Sequence, residues 1–291
     1  MAKEEYRPIL VTGATGKQGG AVYRNLRQRG YPVRALTRNP QQPKARAISG
    51  DGAEVITGDL EDPDSLRAAM SGVYGVYSVQ DSTGGAEKEI RQGVHLAKAA
   101  KGAGVSHFVY SSVGSADRKT GIPHFDSKFQ IEEHLRGSGL PYTILRPVFF
   151  MENWLGARPH IEQGTLALPL APETRLQMIA VDDIGAFAAM AFDNPRKWQG
   201  QAIDLAGDEL SMNEIAEALG RSCGREVRYV TMPWEEFEQR AGREMTIMYR
   251  WFQDTGYHVD IASLRTQYPE LKTFEHWLRE NWQAARSAVA Q

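Results

Sequence analysis

A doubly wound α/β chain is what the first half of this sequence predicts: a parallel sheet with helices on both faces, followed by a smaller, mostly helical second lobe. Three observations carry the reading. Short β-branched runs alternate with helix-period segments. Most of the intervening segments end in glycine, as helix C-termini commonly do. The first strand runs into a glycine-rich turn that opens the first helix. In order, the strands are "PILVTGA", "YPVRALTR", "AEVITGD", "VYGVYSV", "VSHFVYSS" and "YTILRPVFF". Between them lie the helices "GKQGGAVYRNLRQRG", "NPQQPKARAISG", "DPDSLRAAMSG", "EKEIRQGVHLAKAAKGAG" and "FDSKFQIEEHLRGSG". A βα repeat of this kind is a Rossmann fold.

Beyond residue 155 the rhythm changes. "TRLQMIAVDDIGAFAAMAFDNP" reads as a short strand and then a helix, and "GQAIDLAG" as a further strand, so the chain is expected to return to the sheet. From about Asp208 the remainder is mainly helical. It holds four of the six tryptophans, Trp234, Trp251, Trp277 and Trp282, read as core of the second lobe, and runs through the amphipathic "TFEHWLRENW". The expected division is 1–155 with about 176–206 for the Rossmann domain, and about 156–175 with 207–291 for a smaller lid or substrate lobe.

Over 291 residues, 42% hydrophobic and 24% charged composition is that of a folded globular protein. A net charge of -2 without a Lys/Arg block offers no footprint for nucleic acid or an anionic membrane. "MAKEEYRPILV" mixes charge into the start too early for a secretory leader, and "IGAFAAMAF" is too short to span a bilayer, so a cytoplasmic protein is expected. The single cysteine, Cys223, excludes an intrachain disulfide and is read as a small helix residue. The histidines show no ligand spacing, and no metal site is expected.

The stretch "GATGKQG" puts Gly13, Gly16 and Gly19 where the first strand turns into the first helix. Glycines there permit a tight turn and close backbone approach to a pyrophosphate, which the unpaired amides of the helix N-terminus attract. A dinucleotide is therefore the expected ligand. An NAD site would show Asp or Glu at the end of the second strand, but this chain has "LTRNP". Arg38 suits a 2′-phosphate, so NADP(H) is preferred with NAD(H) second; the plainer reading is a solvated charge. "GDL" sets Asp59 and Leu60 at the expected adenine edge, Asp59 also being a candidate cap for the helix near Pro63.

With "TGATGKQGG", "LTRNP", "EVITGDLED", "HFDSK" and "RPVFFMENW" in that order, the chain resembles the NmrA-like family of atypical short-chain dehydrogenase/reductases over nearly its whole length. The resemblance implies cofactor contacts from the loop residues Gly13, Thr15, Gly16, Lys17, Gln18 and Gly19. It adds Arg38, Asp59, Leu60 and Gln80, sets Lys128 at the nicotinamide ribose, and lays the backbone of Phe150, Met151, Glu152 and Asn153 along the nicotinamide. One departure is local: the basic residue that redox-sensing members carry after the arginine aligns near Gln42, with Lys44 displaced.

Ordinary short-chain dehydrogenases use Tyr-x-x-x-Lys. Here His124 stands in the tyrosine's place and Lys128 is kept, four residues on and on the same helix face. For Lys128 the alternatives are a cofactor clamp and an ion pair with Glu132. For His124 they are a general acid and a turn histidine. Ser112 and Ser115 fall in the region of the family's catalytic serine.

An intact nucleotide site beside a missing tyrosine ranks a redox sensor first, one that reports the NADPH/NADP+ state through conformation or a regulatory protein partner. Second comes an NADPH-dependent oxidoreductase acting on quinones or other electron-poor carbonyl compounds. Phe149, Phe150 and Trp154 would then form an aromatic wall for a flat substrate, unless they are core. Third is an interaction module holding the nucleotide as a structural ligand. Turnover, partner and a homodimeric state stay open at the level of sequence.

Overall fold

The computed structural model describes residues 7–289, with side chains described as far as residue 282. Most of the N-terminal stretch weighed above against a secretory leader lies outside the described residues. Two compact units are present: one takes the residues up to Lys119, Pro123–Arg146 and Ile184–Ile203, the other Thr120–Ile122, Pro147–Asp183 and the chain from Asp204.

In the first unit the alternation becomes β1 (Ile9–Val11), α1 (Lys17–Gln28), β2 (Val33–Thr37), α2 (Pro43–Gly50), β3 (Glu54–Thr57), α3 (Pro63–Ala69), β4 (Gly75–Ser78), α4 (Ala86–Gly102), β5 (His107–Ser111), α5 (Pro123–Ser138) and β6 (Tyr142–Pro147). All three residues of β1 are fully buried, as a central strand covered on both faces requires. Leu10 pairs with Arg34 of β2 on one side and Val76 of β4 on the other, both in parallel register. Among the described residues the sheet has seven strands in the order β10-β6-β5-β4-β1-β2-β3, where β10 is Ala202–Leu205. The chain winds outward from β1 through β2 to β3, then restarts at β4 on the other side of β1. That reversal between β1 and β4 opens a crevice at the strands' carboxyl ends, where ligands of such sheets bind. On one face, Leu66, Leu96, Phe108, Tyr110, Ile131 and Ile144 are buried in a single apolar cluster.

The remaining elements are β7 (Phe149–Phe150), α6 (Arg158–Glu162), β8 (Thr165–Leu168), β9 (Arg175–Ile179), α7 (Val181–Asp193), α8 (Pro195–Trp198), β11 (Asp208–Ser211), α9 (Met212–Cys223), β12 (Arg228–Thr231), α10 (Trp234–Ala241), α11 (Arg243–Asp254), α12 (Ile261–Gln267) and α13 (Phe274–Val289). The run read as one strand, "YTILRPVFF", is two. Pro147 ends β6 because proline has no amide hydrogen for the ladder, and Phe149–Phe150 pair instead with β9. "GQAIDLAG" does return to the seven-stranded sheet as β10, whereas β9 belongs to the separate sheet β11-β9-β7. The mainly helical remainder also contains β11 and β12, and β12 runs parallel to β8. Trp277 and Trp282 are buried as expected, while Trp234 and Trp251 are half-buried, Trp234 lying under the Arg250 guanidinium at 4.5 Å. No helix among the described residues is long and apolar enough to cross a membrane.

Candidate dinucleotide site

Gly13 leaves β1 with φ +62°, a conformation that costs glycine little, and its carbonyl accepts from the Gly16 amide at 2.8 Å. Gly16 is the N-cap of α1, and no side chain caps that helix, so its first-turn amides point to whatever sits on the turn. Gly19 has a different task. A Cβ there would stand 2.3 Å from the Gly13 carbonyl oxygen, so only glycine lets α1 begin directly against the turn.

These residues open into a cavity of about 780 Å³ wholly within the first unit. Its walls include Gly13, Thr15, Gly16, Lys17, Gln18 and Gly19 from the turn. Arg38, Asp59, Leu60 and Gln80 contribute from the ends of successive strands. Lys128, His124 and Phe150 to Asn153 are not among its lining residues.

Arg38 is exposed just past β2. Gln42, near the position of that second basic residue, turns its amide inward and donates to Thr37 Oγ1 at 3.0 Å, while Lys44 is exposed on α2. A second cation comes from elsewhere, since Lys88 at the start of α4 lines the same cavity. Asp81 lies near both: its carboxyl is held below the usual range by the Thr83 backbone amide, with Lys88 and Arg38 adding to the effect. Lys88 lay outside the sequence reading because nothing local marks a lysine after a fourth strand. Asp59 is not the cap of α3. Asp62 fills that role through Asp64 N, and Asp59 Oδ1 instead accepts from the Glu61 amide at 2.9 Å.

Gln80, on the cavity wall, tests whether the cavity suits a polar ligand, while Ser112, just past β5, is not among its lining residues. Gln80 is buried with Nε2 on Ser78 Oγ at 2.9 Å and Oε1 without a partner, and buried Ser112 Oγ also lacks one. Buried acceptors are seldom left unpaired, and a ligand carrying hydroxyls and amides supplies donors. The residues present therefore fit a dinucleotide. Gln18 reaches across to donate to Ser111 Oγ at the end of β5, above Tyr77, whose hydroxyl burial pushes well up.

The "HFDSK" motif forms the first turns of α5. His124 is half-buried, with its ring edge-on to Phe125 at 4.9 Å. Lys128 Nζ donates to Glu89 Oε1 of α4 at 2.6 Å, and Ser127 Oγ donates to Glu89 Oε2. The alternative pairing with Glu132 is thereby replaced: Glu132 takes Arg146 through Nε at 2.9 Å and Nη2 at 2.6 Å, and Arg136 at 2.8 Å. Glu89 is fully buried and was missed from sequence. A signal existed, because Glu89 shares the buried face of α4 with Gly93, Leu96, Ala97 and Ala100 at helical spacing.

In the second unit, Phe150 and Glu152 are half-buried, Met151 buried and Asn153 exposed. The Glu152 carboxylate accepts from the Val181 amide at 3.1 Å and Trp277 Nε1 at 2.8 Å. Phe149 and Trp154 are buried, with ring centroids 5.3 Å apart; Phe149 also packs on Phe252, and Trp154 on Phe274. Of the expected aromatic wall, two members are therefore core of this unit.

A Rossmann sheet with this turn, this cavity and a lysine at the fourth position after histidine defines a dinucleotide-binding class of protein. The chain belongs to the NmrA-like family, which matches residues 5–278. It is 36% identical over 241 residues to the NAD(P)H azoreductase of Xenophilus azovorans, covering 79% of each chain. The triphenylmethane reductase of Citrobacter sp., solved as a complex with NADP(H), superposes with a TM-score of 0.82 at 25% identity, covering 94% of this chain and 99% of that one. NmrA, a negative transcriptional regulator solved with NADP, gives 0.81 at 23% identity over 99% of both chains and shares the fold.

Proposed function

We propose that the protein is an NADP(H)-dependent reductase of flat, electron-poor acceptors such as quinones and azo or arylmethane dyes. The observation that carries the nucleotide half of this reading is the cavity that joins an uncapped helix N-terminus to Arg38 and Lys88, and the reductase half is supported by the azoreductase and dye-reductase likenesses. The amides suit a pyrophosphate, and the two cations suit a 2′-phosphate. When bound, NADPH supplies a hydride from its nicotinamide ring. The chain's own residues bind and orient: Gly13 and Gly16 expose backbone to the pyrophosphate, Gln80 accepts from the adenosine half, and Lys128 holds the nicotinamide ribose. His124, one helical turn before Lys128, donates a proton or hydrogen bond from a ring nitrogen to the acceptor being reduced. A quinone or azo acceptor needs less from a protein acid than a ketone does, which accommodates histidine in the tyrosine's place.

Sequence alone ranked redox reporting above turnover; the azoreductase and dye-reductase likenesses favour the reverse order. One observation supports the sensor as a second reading, namely that no tyrosine precedes Lys128 by four residues. Steady NADPH oxidation across a panel of quinones, azo dyes and aldehydes tests the proposal. Turnover with at least one acceptor, strongly reduced in Lys128→Ala, is expected. Tight NADPH binding with no acceptor consumed would favour the sensor.

A further inference from the structure

We infer that Glu89 is a positioning residue: its buried carboxylate fixes the Lys128 ammonium and, through it, the nicotinamide-ribose half of a bound dinucleotide. The inference rests on the clamp role proposed above for Lys128. Both carboxylate oxygens are spent on one motif, Oε1 on Lys128 Nζ at 2.6 Å and Oε2 on Ser127 Oγ. A single acid from α4 thus holds two residues of "HFDSK", Ser127 and Lys128, within one helical turn of His124.

Burying a carboxylate is costly unless every oxygen is paired, and a hydrophobic residue on this apolar face would pack without that cost. A buried acid here is best explained by what it does to the lysine. An ammonium has three donors, and Glu89 takes one, leaving two for ribose hydroxyls. The lysine stem is long and flexible; held by Glu89 it meets the ligand already ordered, so less freedom is lost on binding.

The surroundings keep this pairing exclusive. Glu132, a buried acid on α5, is engaged with Arg146 and Arg136. From β5, Tyr110 stays neutral, its hydroxyl pushed well up by burial and then by Glu89 and Glu132. Gly93, one turn beyond Glu89, brings the helices close: a Cβ there would meet Ile131 Cδ1 at 2.6 Å.

The test is Glu89→Gln, which keeps the shape and removes the charge. Calorimetry compares NADPH with adenosine 2′,5′-bisphosphate, which lacks the nicotinamide half, and the fluorescence gain of bound NADPH reports the ring's environment. We expect NADPH to bind about tenfold more weakly, with a smaller fluorescence gain and the bisphosphate unchanged within about twofold, as loss of one charge-assisted contact implies. In a Lys128→Met background, where the ammonium is already gone, Glu89→Gln should alter NADPH affinity by less than about twofold. Unchanged NADPH affinity, or equal weakening of both ligands, would make Glu89 a structural ion pair only. If the wild type binds NADPH no tighter than the bisphosphate, the clamp itself fails, and this inference with it.

Discussion

Arg38, Lys128 and Asp183 are three ionisable side chains whose surroundings give each a measurable consequence. Arg38 stands exposed on the cavity wall shared with Lys88, so Arg38→Asp sets a carboxylate against a 2′-phosphate while offering an acceptor to a 2′-hydroxyl. The preference for NADPH over NADH should fall by about tenfold or more in paired titrations; an unchanged ratio would mean that Arg38 is only a surface charge. Lys128→Ala leaves Glu89 fully buried without its cation, at a cost of about 3 kcal/mol, read as a lower urea midpoint. Asp183 in the second unit has no accessible surface and one unpartnered oxygen, and burial pushes its carboxyl up to about 7 from the ordinary 3.8. A carboxyl raised on folding holds more protons folded than unfolded. Its stabilisation is therefore complete below the unfolded value and is lost as pH rises through about 7. Asp183→Asn should flatten that slope, which is of the order of 3 kcal/mol between pH 4 and 8. An identical pH profile of melting temperature in the variant would remove the assignment.

Elements differ in how far local sequence determined them. The phosphate turn was legible because its glycines sit at the junction of an apolar strand and an amphipathic helix. Their division of labour was not, since it depends on where the Gly13 carbonyl points. Gly19→Ala should cost about 2 kcal/mol and displace α1, whereas Gly16→Ala, whose Cβ would lie 3.2 Å from that carbonyl, should fold nearly normally and lose mainly nucleotide affinity. Equal melting temperatures for the two variants would contradict this. The first five strands were legible from β-branched runs, but the sixth was drawn too long through Pro147, whose missing amide hydrogen moves Phe149 and Phe150 to another sheet. β8, β11 and β12 escaped notice because four-residue strands with half-exposed side chains carry too little periodicity. Glu89 and Lys88 escaped because what they do depends on the packing of α4 against α5 and on the cavity mouth, both tertiary facts.

At the scale of the whole molecule, composition and the order of motifs were enough to reach the family. Choosing between a reductase and a reporter of redox state depends on whether bound NADPH is consumed. The direct measurement is an anaerobic single turnover, with protein in excess over NADPH and the reduced-nicotinamide absorbance followed after mixing with a quinone or an azo dye. The expected result is a decay matched by acceptor reduction, slowed by about a hundredfold in His124→Phe with NADPH affinity nearly unchanged. NADPH that stays bound and reduced in the presence of every acceptor would contradict it.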